Sequence, residues 1–494
     1  MKTLRLLPLL VAFACGSSST TTSDAGPYDH LPPPDAAVAS GLEPETWSAH
    51  LSDELLPFWR MAEARGVPEG NFPTYRGMDG SIQGSSFRKP RMMGRQVFTY
   101  CIGFMMTGDE ELLSLARAGT RWLLDHARDE GRGGWFADLD ATGAPSGDAA
   151  KFAQDASYAV MGPAAYFFVT RDVEAEAAVL ETRDLLFTTY WDAAGGRIKD
   201  GMDGALAVET YMTAQGSWEL VAQLDPITAF LLLVQPVLSE PARREQVLGD
   251  LRTLALRIHD SFWRDGTFWG TTGGIGSYGS RHTDFGHILK AYWALLQIDK
   301  RLDDHPLRAF LDENLEPALE LALDDELGRW ANRPLSTTEV AYGSDWWAYA
   351  EADQLAATVS MRDPSWIARL AETSTKFRTD FVDRTRPARE LVPSISRGGV
   401  WVRNWSNSDT AKANEWKNGF HGAEHALVLY LFSHWLADRP APLYFALPAD
   451  RAQALAAESH PYTFLGRVAT VEDLRPLAAD PTRRVVRITF DQLR

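Results

Sequence analysis

REQVLGDLRTLALRIHDSFW (244–263), RDGTFWGTTGGIGSYG (264–279) and HILKAYWALLQIDKRL (287–302), taken together, decide the fold of this chain. The first and third carry apolar residues at spacings of three and four, the period of a helix with a buried face. The middle stretch is rich in Gly and aromatic residues, which suits turns and short hairpins. The alternation extends outward in both directions. Helical patterns recur in LSDELLPFWRMAEA (51–64), PRMMGRQVFTYCIGFMM (90–106), EELLSLARAGTRWLLDHA (110–127), KFAQDASYAVMGPAAYFF (151–168), ITAFLLLVQPVL (227–238) and WWAYAEADQLAATVSM (346–361). Gly-rich loops recur in GRGGWFADLDATGAP (131–145), DAAGGRIKDGMDG (192–204) and SISRGGVWVRNWSNSD (394–409). The rhythm of helix, turn, helix, loop repeats about every 50 to 65 residues, the mark of a repeat architecture. Roughly six helical hairpins fit between Trp47 and the residues just past Leu436 at that period. The expected fold is all-α, an (α/α)6 toroid over 41–441 whose loops gather at one rim around a central cleft.

Beyond Leu436 the pattern becomes that of strands: LYFALP (443–448), YTFLGRVATVEDL (462–474) and RRVVRITFDQL (483–493) alternate apolar and polar residues. Residues 442–494 are expected to form a small β-rich appendage without a catalytic cluster. At the other end, MKTLRLLPLLVAFAC (1–15) has a basic start at Lys2 and Arg5 and a short apolar run from Leu6 to Phe13. That order resembles a secretory signal, and the run is too short to span a bilayer. Ending in Ala14-Cys15-Gly16, it resembles a bacterial lipoprotein signal in which Cys15 becomes the lipidated first residue, with Ala12 where Leu is usual. Residues 16–40, rich in Ser, Thr, Pro and Ala, are expected to be a flexible tether. The expected location is extracytoplasmic, on a bacterial cell envelope, with a membrane contact only through Cys15.

The 494 residues carry a formal net charge of −17, which leaves no basic excess for phosphates and argues against nucleic acid as a partner. Of the two cysteines, Cys101 lies in an apolar helical run, so neither a disulfide framework nor a thiolate metal site is expected in the mature domain. No nucleotide loop or metal-ligand spacing occurs, and no cofactor is expected. Aromatic residues are 11% of the chain, a share that suits carbohydrate handling and a large core equally.

Two segments carry the candidate chemistry: FGHILKAYWALL (285–296) and EWKNGFHGAEHALVLYLF (415–432). Each sets one histidine, His287 or His421, at the start of an apolar helix with aromatic rings close by. Histidine gains and loses a proton near neutral pH, and two facing one cavity make an acid/base pair. Aromatic rings suit the apolar faces of a sugar.

Five segments in order resemble the N-acylglucosamine 2-epimerase family, which includes cellobiose 2-epimerases and mannose-type aldose–ketose isomerases. They are Gly94-Arg95-Gln96-Val97-Phe98-Thr99-Tyr100, the Gly133-Gly134-Trp135-Phe136 loop with Asp140 to Gly143, Gly286-His287 through Trp293, Trp346-Trp347 through Ala352, and Trp416-Lys417 through His421. The resemblance spans about 390 residues. It implies a mono- or disaccharide substrate and proton work by His287 and His421 through an enediolate. It further implies that Arg95 stabilises the developing charge, that Glu351 tunes a histidine or binds hydroxyls, and that Trp346, Trp347 and Trp416 stack on the pyranose.

The departures from the family pattern are polar. Asp225 stands for a third histidine and Thr228 for a Glu, in LDPITA (224–229). Lys290 stands for a Glu, Tyr349 for a Gln and Glu424 for an Arg. Asp225, Thr228, Lys290, Tyr349 and Glu424 are therefore expected to line the pocket and alter its substrate contacts, Asp225 and Lys290 as a compensating pair if they meet. Two other classes remain open: a sugar-binding lipoprotein without catalysis, and a hydrolase or lyase drawing two carboxylates from Asp225, Asp284, Glu351 and Glu424.

Overall fold

A computed structural model describes residues 26, 28–34, 39–84, 87–147, 149–402 and 411–494. The expected signal 1–15 with its lipidation site Cys15, and most of the tether, lie outside the described residues. The described part of the tether is not loose. Tyr28 is buried and donates to Asp299 Oδ2 at 2.7 Å, and Leu31 O accepts from Trp435 Nε1 at 2.9 Å. The expected flexible tether is held to the ring here, by the buried Tyr28 at Asp299 and by the Leu31 carbonyl at Trp435.

Twelve helical segments build the ring among the described residues. In chain order they are α1 (Pro44–Ala49, continued through His50–Leu55 to Leu56–Trp59), α2 (Pro90–Thr107), α3 (Glu110–Trp122), α4 (Ala153–Thr170), α5 (Val173–Leu186) and α6 (Leu220–Pro226, continued through Ile227–Leu231). Then follow α7 (Pro241–Phe262), α8 (Phe285–Asp299), α9 (Arg308–Ala322), α10 (Trp346–Ser360), α11 (Trp366–Lys376) and α12 (Phe420–Leu436). Each even-numbered helix touches the next, and α12 returns to α2, so the inner ring closes. The odd-numbered helices pack outside it, with α1 against α12.

The division follows from the residues. Every residue of α12 is buried, as is α2 from Pro90 to Met106, and helices apolar all round belong at the centre. The outer α3 buries one stripe containing Leu112, Leu115, Ala116 and Gly119, and Asp109 caps its start by accepting Glu111 N–H. α6 starts at Leu220, ahead of the apolar run expected from Ile227. Pro226 removes a helical N–H, and the wide turn over Ile227–Leu231 absorbs the break.

An outer helix ends where the next inner helix begins. The short ribbons Trp191–Asp192 with Arg197–Ile198, and Trp263–Arg264 with Thr267–Phe268, therefore lie at the end to which the inner N-termini point. The positive ends of the inner helices converge there.

Strands Ala441–Pro448, Arg467–Leu477 and Asp480–Asp491 form an antiparallel sheet with the last strand in the middle, Phe445 opposite Val486 and Val471 opposite Ile488. A short helix, Ala452–Ala457, joins it. The sheet sits against α2 and α4; Arg475 Nε donates to Glu110 at the start of α3 at 2.8 Å and Arg483 donates to Thr170 O at the end of α4. It is more than an appendage laid on the ring. Its connecting loop carries Tyr462, 1% exposed, inward onto α2 and α12.

Candidate active site

His287 lies in the first turn of α8. Asp284 caps that helix by accepting His287 N–H at Oδ1, 3.0 Å away, and its Oδ2 is 2.8 Å from His287 Nδ1. One carboxylate thus fixes both the helix start and the ring. Burial pushes the Asp284 carboxyl up, and the charge and hydrogen bonds of His287 outweigh it, so it stays below the usual range.

His421 lies in the first turn of α12, its ring 4.2 Å from Phe420. Its Nδ1 is 3.3 Å from Glu351 Oε1, yet the two are not aligned for a hydrogen bond and neither atom makes another hydrogen bond. Burial, followed by the Arg95 and Lys290 charges, holds the imidazole well below its usual pKa. The ring of Trp347 links the two histidines, 4.8 Å from His287 and 5.9 Å from His421. Gly286 makes this seat: a Cβ there would lie 2.3 Å from the Trp347 ring.

Beside the histidines stands a polar group from three helices, with Lys290 one turn after His287 on α8. Lys290 Nζ donates to Asp225 Oδ1 at 2.9 Å and to the Tyr158 hydroxyl at 3.1 Å, and lies 4.0 Å from Glu351. Gln154 and Tyr158, one turn apart on α4, donate to Asp225 at 2.7 and 2.9 Å. Burial would lower the Lys290 ammonium, but Asp225, Tyr158 and Glu351 outweigh it and hold it charged. The expected Asp225–Lys290 pair therefore exists. Arg95 lies over the Tyr158 ring at 3.6 Å and donates to Trp416 O at 3.2 Å, leaving its buried Nε unpartnered. Burial pushes Glu351 and Glu424 upward; Lys290 opposes it at both, while Asp225 adds to it at Glu351 and Glu351 adds to it at Glu424.

Among the described residues, Glu351, His421 and Glu424 are a set with metal-ligand atoms, all within 4.8 Å of one another. The Lys290 ammonium 4.0 Å from Glu351 opposes a divalent cation there.

Tyr349 is a correction. It donates to Thr373 O at 3.0 Å and packs on Phe377 and Phe381 of the outer layer. Residues 347 and 351 share one helix face, and 349 falls on the other. Thr228 bonds its own helix at Leu224 O. Trp346 lies 6.3 Å from His421 over the Lys417 ammonium, while Trp416 is 40% exposed under the Arg91 guanidinium, at the mouth.

Residues not foreseen complete the site. His282 stacks edge-on to His287 at 4.6 Å, its Nε2 3.5 Å from Glu219. Its φ of 58° is a left-handed conformation that a histidine rarely adopts. The Asp three residues before His287 is a capping pattern, and a sequence reader could have used it. Tyr158 and Tyr462 had no such signal.

The ring and its cleft define the class: an (α/α)6 toroid with two carboxylate-backed histidines at the convergent ends of its inner helices. The family model for N-acylglucosamine 2-epimerase (GlcNAc 2-epimerase) matches residues 70–222. The mouse (Mus musculus) N-acylglucosamine 2-epimerase is 27% identical over 271 residues, 53% of this chain and 62% of that protein, so the match spans less than two thirds of it. Cellobiose 2-epimerase from Spirochaeta thermophila superimposes with a TM-score of 0.68 at 20% identity, over 80% of this chain and 97% of its own. A D-mannose isomerase does so with 0.66 at 17%, over 80% and 99%. The chain is thus similar in sequence to N-acylglucosamine 2-epimerase over about half of its length, and in fold to the solved epimerase and isomerase over most of it.

Proposed function

We propose that the chain is a sugar 2-epimerase or aldose–ketose isomerase, working through an enediolate with His287 and His421 as the proton carriers. The observation that supports this most is the pairing of the two rings: both imidazoles flank Trp347, and each has a carboxylate on its Nδ1 side, hydrogen-bonded at 2.8 Å for His287 and 3.3 Å away for His421, which leaves Nε2 for chemistry. In the open-chain sugar, one neutral imidazole takes the proton from C2. The electron pair moves toward the carbonyl, giving the enediolate. The second histidine returns a proton to the other face of C2, or the proton goes to C1 for isomerisation. Arg95 and Lys290 carry fixed positive charge for the enediolate oxygens. Trp347 stacks on the sugar between the two carriers.

The exchange of charges at 290 and 424 preserves the balance of the pocket but inverts its polarity, so the preferred sugar should differ from those of the named relatives. The test is incubation with free aldoses, N-acyl hexosamines and β-linked disaccharides, followed by NMR. A 2-epimer or ketose from at least one supports the proposal. Binding without conversion would contradict it in favour of a binding protein, and release of reducing ends from a polysaccharide in favour of a hydrolase. We further propose that Cys15 is lipidated and holds the protein outside the cytoplasm on a bacterial envelope. The order of basic, apolar and Ala-Cys residues supports that location.

A further inference from the structure

The Spirochaeta enzyme is covered over 97% of its length by 80% of this chain, so about a fifth of this chain has no counterpart in it. The C-terminal sheet lies beyond the closed twelve-helix ring of this chain. It nevertheless reaches the site. Tyr462 packs edge-on against Phe98 at 6.3 Å and donates its hydroxyl to Glu424 Oε1, on the same turn of α12 as His421. Oxygens of Glu424 and Glu351 and a nitrogen of His421 lie within 4.8 Å of one another, all in residues at most 6% exposed.

We propose that Tyr462, Glu424 and Glu351 form a proton-sharing group behind His421, so that the C-terminal unit sets the protonation of that histidine. The inference rests on reading His421 as a proton carrier. Two carboxylates this close in a dry interior cannot both ionise, and they titrate as one pair holding one proton. The groups facing His421 fix where the remaining charge sits. α2 supplies Arg95, α6 supplies Asp225 and α8 supplies His287 and Lys290. Lys290 is committed to Asp225 and lies 4.0 Å from Glu351, drawing the charge toward Glu351. The hydrogen bond from Tyr462 draws part of it back to Glu424. When His421 takes a proton from a sugar, the single charge of the pair is its counter-ion, and the cluster of Lys290, Asp225, the pair and His421 is neutral overall. Glu424, Tyr462 and Glu351 are thus positioning residues; none is assigned contact with the sugar.

The test uses the full chain with labelled histidine, following the His421 imidazole by NMR in mildly acid buffer. In Glu424→Gln the whole charge settles on Glu351 against Nδ1. The ratio of protonated to neutral imidazole should rise about tenfold, an upward move of about one pH unit. Tyr462→Phe, which keeps the ring on Phe98, should raise the ratio by less. Glu351→Gln should lower it. A Tyr462→Phe protein that melts lower but leaves the His421 ratio unmoved would show a purely structural tyrosine and overturn the proposal. So would an unmoved ratio in Glu424→Gln, or stoichiometric zinc binding that Glu424→Gln abolishes. If the variants do not fold, infrared spectra of the unaltered protein decide. A protonated carboxyl band persisting at neutral pH is expected, and its absence overturns the proposal. None of these readouts needs turnover, so failure to convert any sugar would contradict the proposed function without touching them.

Discussion

Asp284→Asn separates two jobs that one carboxylate performs. Oδ1 caps α8 at 3.0 Å from His287 N, and Oδ2 lies 2.8 Å from His287 Nδ1. Asn caps a helix about as well as Asp, so unfolding free energy should move by less than about 0.5 kcal/mol. What is lost is a charged acceptor for the ring nitrogen. Hydrogen bonds to charged groups contribute about 1.5–3 kcal/mol, and each 1.36 kcal/mol is tenfold in rate, so kcat/KM should fall between about tenfold and about a hundredfold. The amide can also turn its NH2 toward Nδ1 and favour the tautomer that protonates Nε2. The assay is kcat/KM on the sugar the protein converts, beside denaturant unfolding of the same preparation. A variant within twofold of the parent, while His287→Ala is inactive, would refute the idea that the carboxylate orients the ring. A rate loss accompanied by gross destabilisation would show that the cap alone matters.

Gly286→Ala should place a methyl 2.3 Å from the Trp347 ring, costing about 1–3 kcal/mol of stability by overpacking; an unchanged urea midpoint would contradict the close seat. Burial holds His50 and His434 neutral down to about 4, below the unfolded value near 6.5. The unfolded chain therefore binds these protons first. Stability should be full above about pH 6.5 and fall toward pH 4, by roughly 3 kcal/mol for each histidine, and equal urea midpoints at both ends of that window would contradict this. Labelled palmitate should enter the protein in cells and be absent from Cys15→Ala; equal labelling of both would remove the lipid anchor from the account.

The ring was legible because its helices carry apolar residues at helical spacing, densest in the inner ones, and because Gly-rich loops punctuate them at a steady period. The start of α6 was not, since Pro226 reads as a break until a wide turn is known to absorb it. Within the site, His287, His421, Arg95 and Glu351 could be named from their motifs, and the structure brings them within electrostatic reach of one another, the two histidines on either side of Trp347. Tyr349 was misplaced because a motif match ignores the helix period, which turns it to the outer layer. Lys290 and Asp225 could be suspected of pairing, but they are 65 residues apart and only the closed ring makes them meet. Tyr462 was invisible for a stronger reason. It lies in a strand-like segment of a separate unit, and its hydroxyl meets Glu424 only after the sheet has docked against the ring.

The most direct measurement of the central claim is solvent deuterium entering C2 of the converted sugar, followed in the parent protein, His287→Ala and His421→Ala. The account predicts deuterium at C2 of product from the parent and loss of interconversion in both variants, with their unfolding midpoints preserved. Interconversion without deuterium, or interconversion surviving in either variant at more than about a tenth of the parental rate, a loss worth under 1.4 kcal/mol, would contradict a proton shared between these two histidines.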